Sequence, residues 1–118
     1  MTWDEAEKAV REMASLSDDW DGEGAYPIDF HVLLVALGVI AELDRADVRC
    51  PDCVLPTVNG AVCFEYTIDG QYSPLSVGLD DIGFVSIDFC YGGKCYVEEN
   101  ALLVLISKLE EEAERCAH

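Results

Sequence analysis

The chain is expected to fold as an α+β domain: an antiparallel meander sheet of four to five strands with about three helices packed on one face, in the order ααβββββα and two layers deep. Three observations predict this. Helical spacing of apolar residues governs the chain up to Arg45 and again after Asn100. Strand-like alternation governs what lies between, and turn dipeptides punctuate that middle region at Asn59-Gly60, Asp69-Gly70 and Gly92-Gly93. Strands joined by such short turns pair antiparallel, and the apolar face they share then needs a helical cover.

Each element has a local reason. Thr2 and Glu5 make a capping-box pattern, after which Trp3, Ala6, Val10, Met13 and Ala14 recur at helical spacing, so a first helix is expected from Trp3 to Leu16. Asp29 is placed to cap a second helix from Phe30 to about Arg45. Its apolar residues almost encircle it, which points to a central helix or to one that covers a partner. Strands begin at Val54. Asn59-Gly60 predicts a type I′ hairpin, and Val62, Phe64, Tyr66 and Ile68 alternate with Cys63, Glu65 and Thr67, giving one buried and one open face. Further strands are expected at Ser73 to Leu79, Phe84 to Tyr91 and Lys94 to Val97. Asn100 then caps a last helix with Leu102, Leu105, Ile106, Leu109, Ala113 and Cys116 on one stripe.

A chain of 118 residues with no linker-like stretch is one domain, spanning 1–118. Its apolar content of 51% supports a packed core, although 24 acidic residues against 7 basic ones leave a net charge of −17. That charge restricts the partners. Nucleic acid is repelled, because binding phosphate requires a basic footprint and there is no Lys or Arg from Cys50 to Gly93. An anionic membrane surface is disfavoured for the same reason, which leaves a basic protein surface, a cation, or nothing more specific than water. The longest apolar run, Val32 to Ala41, has ten residues, short of the roughly 20 that cross a bilayer. With a charged, amphipathic start and no apolar signal core, the expected location is cytoplasmic.

The stretch SDDWDGEGAYPID, Ser17 to Asp29, invites a metal reading. Asp19, Asp21, Glu23 and Gly24 match positions 1, 3, 5 and 6 of a calcium loop, yet position 12, where a bidentate Glu closes the cage, is Phe30. The expectation is therefore a turn without a metal. Trp20 is its buried anchor, Gly22 and Gly24 take left-handed conformations, and Pro27 stiffens the entry to the second helix.

The six cysteines, in a chain without a signal segment, read as mostly reduced. Cys50-Pro-Asp-Cys53 is a C-x-x-C, but it follows a helix and precedes a strand, the reverse of the redox motif. A zinc site there needs two further ligands, which Cys90 and Cys95 supply only if their hairpin reaches Cys50. Those two are instead expected to be cross-strand neighbours able to form a disulfide under oxidising conditions. Cys63 and Cys116 read as semi-buried. His31 and His118 accompany no nucleophile pattern, so no catalytic residue and no cofactor is expected, and His31 reads as a surface residue at a helix start.

WDGEGAYP, Trp20 to Pro27, followed by PTVNGAVCFEY, Pro56 to Tyr66, resembles a group of small acidic bacterial and phage proteins with W-D-G-x-G-A-x-P and then P-T-x-x-G-x-x-x-E-W/Y. Membership of that group implies no activity. In character, through small size, extreme acidity and an α+β pattern, the chain is similar to phage-encoded anti-CRISPR proteins that imitate DNA. That likeness implies an inhibitor occupying the DNA-binding surface of a type I CRISPR surveillance complex. The physics is compatible, since carboxylates at alternate strand positions stand about 6.6 to 6.8 Å apart, close to phosphate spacing.

The candidate partner-binding residues are Asp18, Asp19, Asp21 and Glu23 in the loop, Glu65 and Asp88 on open strand faces, and Asp80, Asp81, Glu98 and Glu99 at strand ends. Two alternatives stand beside this expectation: an antitoxin or immunity protein neutralising a basic nuclease, and a small metal-binding or redox module. A monomer and a homodimer are both compatible with the sequence.

Overall fold

The computed structural model describes residues 1–116; His118 lies outside the described residues. Helix α1 (Trp3–Glu12) is capped by Thr2, whose hydroxyl accepts from the Glu5 N–H while the Glu5 carboxylate accepts from the Thr2 N–H. It ends earlier than the apolar spacing predicts, in a 3-10 turn at Met13–Ser15. The Ser15 hydroxyl donates to the Glu12 carbonyl there, and Leu16 turns extended. Helix α2 (Phe30–Arg45) starts at the expected cap, with the Asp29 carboxylate accepting from the His31 N–H at 2.8 Å.

Five strands follow, β1 (Cys53–Pro56), β2 (Val62–Ile68), β3 (Gln71–Leu79), β4 (Val85–Tyr91) and β5 (Lys94–Val97), in one antiparallel sheet of order β1-β2-β3-β4-β5. Helix α3 (Glu98–Cys116) closes the chain. The α+β meander is thus the observed fold. The register stacks Val54, Phe64, Leu75, Phe89 and Tyr96 in one row, and Phe64, Leu75 and Phe89 are fully buried beneath the helices. α1 packs on α2 and β1, α2 on the central strands, and α3 on β4 and β5. The opposite face carries the row Leu55, Cys63, Ser76, Asp88 and Val97, in which Cys63 alone is buried.

The turns divide into two kinds, one at each end of the sheet. Asp69-Gly70 and Gly92-Gly93 have positive φ at both residues and are the two-residue I′ type. Asn59-Gly60 is different: only Gly60 is left-handed, Gly60 N–H donates to the Thr57 carbonyl and Thr57 N–H to that of Ala61. It is a type I turn with a glycine bulge rather than the predicted I′ hairpin, and Asp80 to Phe84 repeats the pattern around Gly83.

α3 departs from its expected start. β5 runs straight into the helix through Glu98, which has φ +55°, so Asn100 lies inside the first turn rather than capping it. Glu98 and Glu99 therefore stand at a helix N-terminus, where negative charge is favoured. The buried stripe is Ala101, Leu105 and Leu109; Ala113 and Cys116 are exposed, because the helix outruns the sheet. α2 is not encircled by protein either. It buries Val32, Leu33, Ala36, Val39, Ile40 and Leu43 on one side and leaves Phe30 and Leu34 in water. Among the described residues, no helix is long and apolar enough to cross a membrane.

Candidate functional site

The loop between α1 and α2 is folded by its own acids. Asp19, at φ +60°, donates its N–H to the Ala25 carbonyl, accepts the Gly22 N–H at its own carbonyl and accepts the Gly24 N–H at Oδ1. Asp21 Oδ1 accepts from Glu23 N–H at 2.8 Å and Ala25 N–H at 3.0 Å. Those two N–H groups, Glu23's first, hold the Asp21 carboxyl below the usual carboxylate range. The alternation of acids that resembles a calcium loop is therefore a clamp on backbone donors. Addition of calcium is expected to leave the melting temperature almost unchanged, which differential scanning fluorimetry reads directly; a rise of many degrees would return the loop to the metal reading.

Trp20 plays a lesser part than the sequence suggests. Its ring is half-buried, and the residues plugged into the fold are Ala25 and Ile28. The indole instead closes the loop, its N–H donating to the Tyr26 carbonyl at 2.8 Å. Trp20→Ala is accordingly expected to cost about 1–2 kcal/mol, the loss of one hydrogen bond and partial burial, rather than the roughly 3–5 of a core aromatic. Chemical denaturation measures the difference.

The loop then meets the β1–β2 turn. Tyr26 N–H donates to the Val58 carbonyl at 3.0 Å, and a Cβ on Gly60 would stand 3.2 Å from the Pro27 carbonyl oxygen. The two sequence stretches WDGEGAYP and PTVNGAVCFEY are thus in contact, and Gly60 is needed both for its φ of +85° and for this approach. Two clefts open at the contact. One, of about 430 Å³, lies between Tyr26, Asp29, Asn59 and Leu79. The other, of about 360 Å³, runs onto the open sheet face between Thr57, Ser76, Asp80, Ser86 and Asp88, and shares Asn59 and Leu79 with the first.

The candidate acids fall into two groups by what they touch. Asp19, Asp21 and Asp80 serve their loops; Asp80 Oδ1 accepts from Ile82 N–H at 3.0 Å and Phe84 N–H at 2.9 Å. Asp18, Glu23 and Asp81 are exposed at the same end of the sheet, and Asp88 lines the second cleft. Glu98 and Glu99 follow Val97, the residue opposite Asp88, and so adjoin it on the β5 edge. Glu65 stands apart on the open face. Two strand spacings and a two-residue offset along the strands separate it from Asp88, roughly 12 Å. No strand carries two of the candidate acids at alternate positions, so the 6.6–6.8 Å ladder considered from the sequence is not formed within the sheet.

Bases occupy the other end. Arg49 donates to Glu112 at 2.6 Å and to the Thr67 carbonyl at 2.7 Å, Arg115 pairs with Asp69, Lys108 lies 5.0 Å over the Tyr91 ring, and Lys94 follows the Gly92-Gly93 turn. Arg45 ends α2 there, paired with Glu42, and α1 pairs Arg11 with Glu7 and Lys8 with Glu12 along its length. Among the described residues, no base lies in the acidic loop or in the Thr57–Ala61 and Asp80–Phe84 turns.

The cysteines do not converge. Cys90 and Cys95 are directly opposed and joined by a disulfide, and three strand spacings, roughly 14 Å, separate Cys90 from Cys53. Hence the zinc set Cys50, Cys53, Cys90 and Cys95 is not brought together. Burial, first of all, pushes the Cys50, Cys53 and Cys63 thiols above their ordinary range, the opposite of a redox-active thiolate. Cys63 is buried rather than half-buried, and Cys116 is exposed. His31 is exposed, its ring 3.2 Å from the Asp29 carboxylate.

No family model, curated protein or solved structure matches this chain.

Proposed function

We propose that this protein is an inhibitor that works by binding, docking its acidic end on a basic, nucleic-acid-binding surface of another protein. The observation that supports this reading is the uneven distribution of the bases, which leaves the acids of one end unpaired while those of the other are in ion pairs. Asp18, Glu23 and Asp81 lie at an end without bases, with Asp88 mid-strand in the cleft that runs from it, while Arg45, Arg49, Lys94, Lys108 and Arg115 lie towards the other end. On a molecule of net charge −17, the end whose acids have no base beside them presents the least compensated negative field to a basic surface. In its most specific form the target is the DNA-recognition subunit of a type I CRISPR surveillance complex. Neutralisation of a basic nuclease by an antitoxin or immunity protein uses the same physics.

Salt tests the docking. Charges further apart than a Debye length of about 8 Å are screened at physiological ionic strength. Association with the partner, followed by stopped-flow fluorescence, is expected to slow steeply as salt rises while dissociation changes much less. An association rate indifferent to salt would remove the basis of the proposal.

A further inference from the structure

The acidic end also exposes several large apolar side chains. Tyr26, Val58, Leu79, Ile82 and Phe84 each leave between 49% and 77% of their surface in water. They belong to three segments that the fold brings together. Tyr26 is bonded through its backbone to Val58, and Leu79 lines both clefts, facing Tyr26 across one of them. Ile82 and Phe84 stand in the bulged turn that leaves Leu79, held by the Asp80 carboxylate. Single exposed apolar residues are ordinary, but five at one end of the sheet, on turns held by their own hydrogen bonds, mark a contact surface. Asp18, Glu23, Asp29, Asp81 and Asp88 surround it.

Resting on the docking reading above, we infer that this end binds a protein that presents one or two apolar side chains flanked by Lys or Arg. The apolar centre of the interface seats on Tyr26, Leu79, Ile82 and Phe84, and the basic flanks meet the acidic rim. Charge complementarity selects this occupant. A second copy would bring the same carboxylates face to face, each chain carrying −17, and a bare phosphate-binding groove would leave the apolar centre unmatched. Apolar contacts at the centre and charges at the rim divide the work as in other interfaces: the centre sets residence time and the rim sets the rate of encounter.

Two synthetic peptides of equal length and charge test this, one alternating Lys with Leu and Phe, the other alternating Lys with Ser. Titrated into the full chain at physiological salt, the Lys/Leu/Phe peptide is expected to bind at least tenfold more tightly. Its amide chemical-shift changes should be centred on Tyr26, Val58 and Leu79 to Phe84. The double substitution Ile82→Ser, Phe84→Ser is expected to reduce its affinity to that of the Lys/Ser peptide with the melting temperature retained. Tyr26→Ser alone gives a second reading should the double variant lose its fold. Equal affinities, failure of the apolar peptide to bind, shift changes centred on Phe30 and Leu34, or dimers formed through these residues in sedimentation would each overturn the inference. Equal affinities that still fall with salt would leave charge docking standing, whereas tight binding of the apolar peptide that ignores salt would overturn the docking reading and the basic flank with it.

Discussion

Phe64→Ala is expected to destabilise the domain by about 3–5 kcal/mol, with a fall in melting temperature of roughly 10–25 °C. Phe64 has no exposed surface and sits between Val54 and Leu75 in the central row of the sheet, with Phe89 one strand further on. Truncating the ring removes its own burial and leaves a cavity that neighbours on three strands cannot close without breaking register. Glu65, one residue along, points to the open face, so Glu65→Gln is expected to change stability by less than about 0.5 kcal/mol. Urea denaturation of the pair measures both. Similar losses for the two variants would mean that the faces of β2 are assigned the wrong way round.

The second large effect concerns rate. Neutralising Asp18, Glu23, Asp81 and Asp88 together, to Asn or Gln, is expected to slow association with a basic partner about 10- to 100-fold at low salt while leaving stability within about 0.5 kcal/mol. Asp18, Glu23 and Asp81 make no hydrogen bond within their loops, and Asp88 lines the cleft from the open face of β4. Asp19, Asp21 and Asp80 are left intact in this set. Replacing them frees backbone N–H groups and confuses loss of charge with loss of loop structure. Glu110 and Glu114 on α3 serve as the control, since that helix ends beside Arg49, Lys108 and Arg115, and their neutralisation is expected to alter the rate only a few-fold. The assay is competition with target DNA for the isolated DNA-recognition subunit of a type I complex, run in parallel with inhibition of a basic nuclease. Equal behaviour of the two sets, or simultaneous binding of protein and DNA, would sink the mimic form of the proposal and advance the antitoxin form.

What was legible in the chain, and what was not, divides along the range of the interactions. The Thr2–Glu5 box, the Asp29 cap, the alternation from Val62 to Ile68 and the opposition of Cys90 and Cys95 across Gly92-Gly93 all depend on residues within a few positions of one another. Backbone geometry makes such patterns readable, and together they specify the meander and its helical cover. Failures at this level were also local. The bulged turn at Asn59-Gly60 and the start of α3 at Glu98 each replaced one short-range solution by another of similar energy. Tertiary structure alone decided which carboxylates are free, that the Trp20–Pro27 stretch rests on the Asn59-Gly60 turn, that the sheet end built from the acidic loop and the Thr57–Ala61 and Asp80–Phe84 turns is left without a base, and that Tyr26 and Leu79 line one cleft. Nothing in a residue's near neighbours encodes these outcomes. They follow from closure of the core, which sets the directions of α2 and the strands and thereby joins segments some fifty residues apart, while Asp19, Asp21 and Asp80 turn to the backbone donors that the folded loops would otherwise leave unpaired.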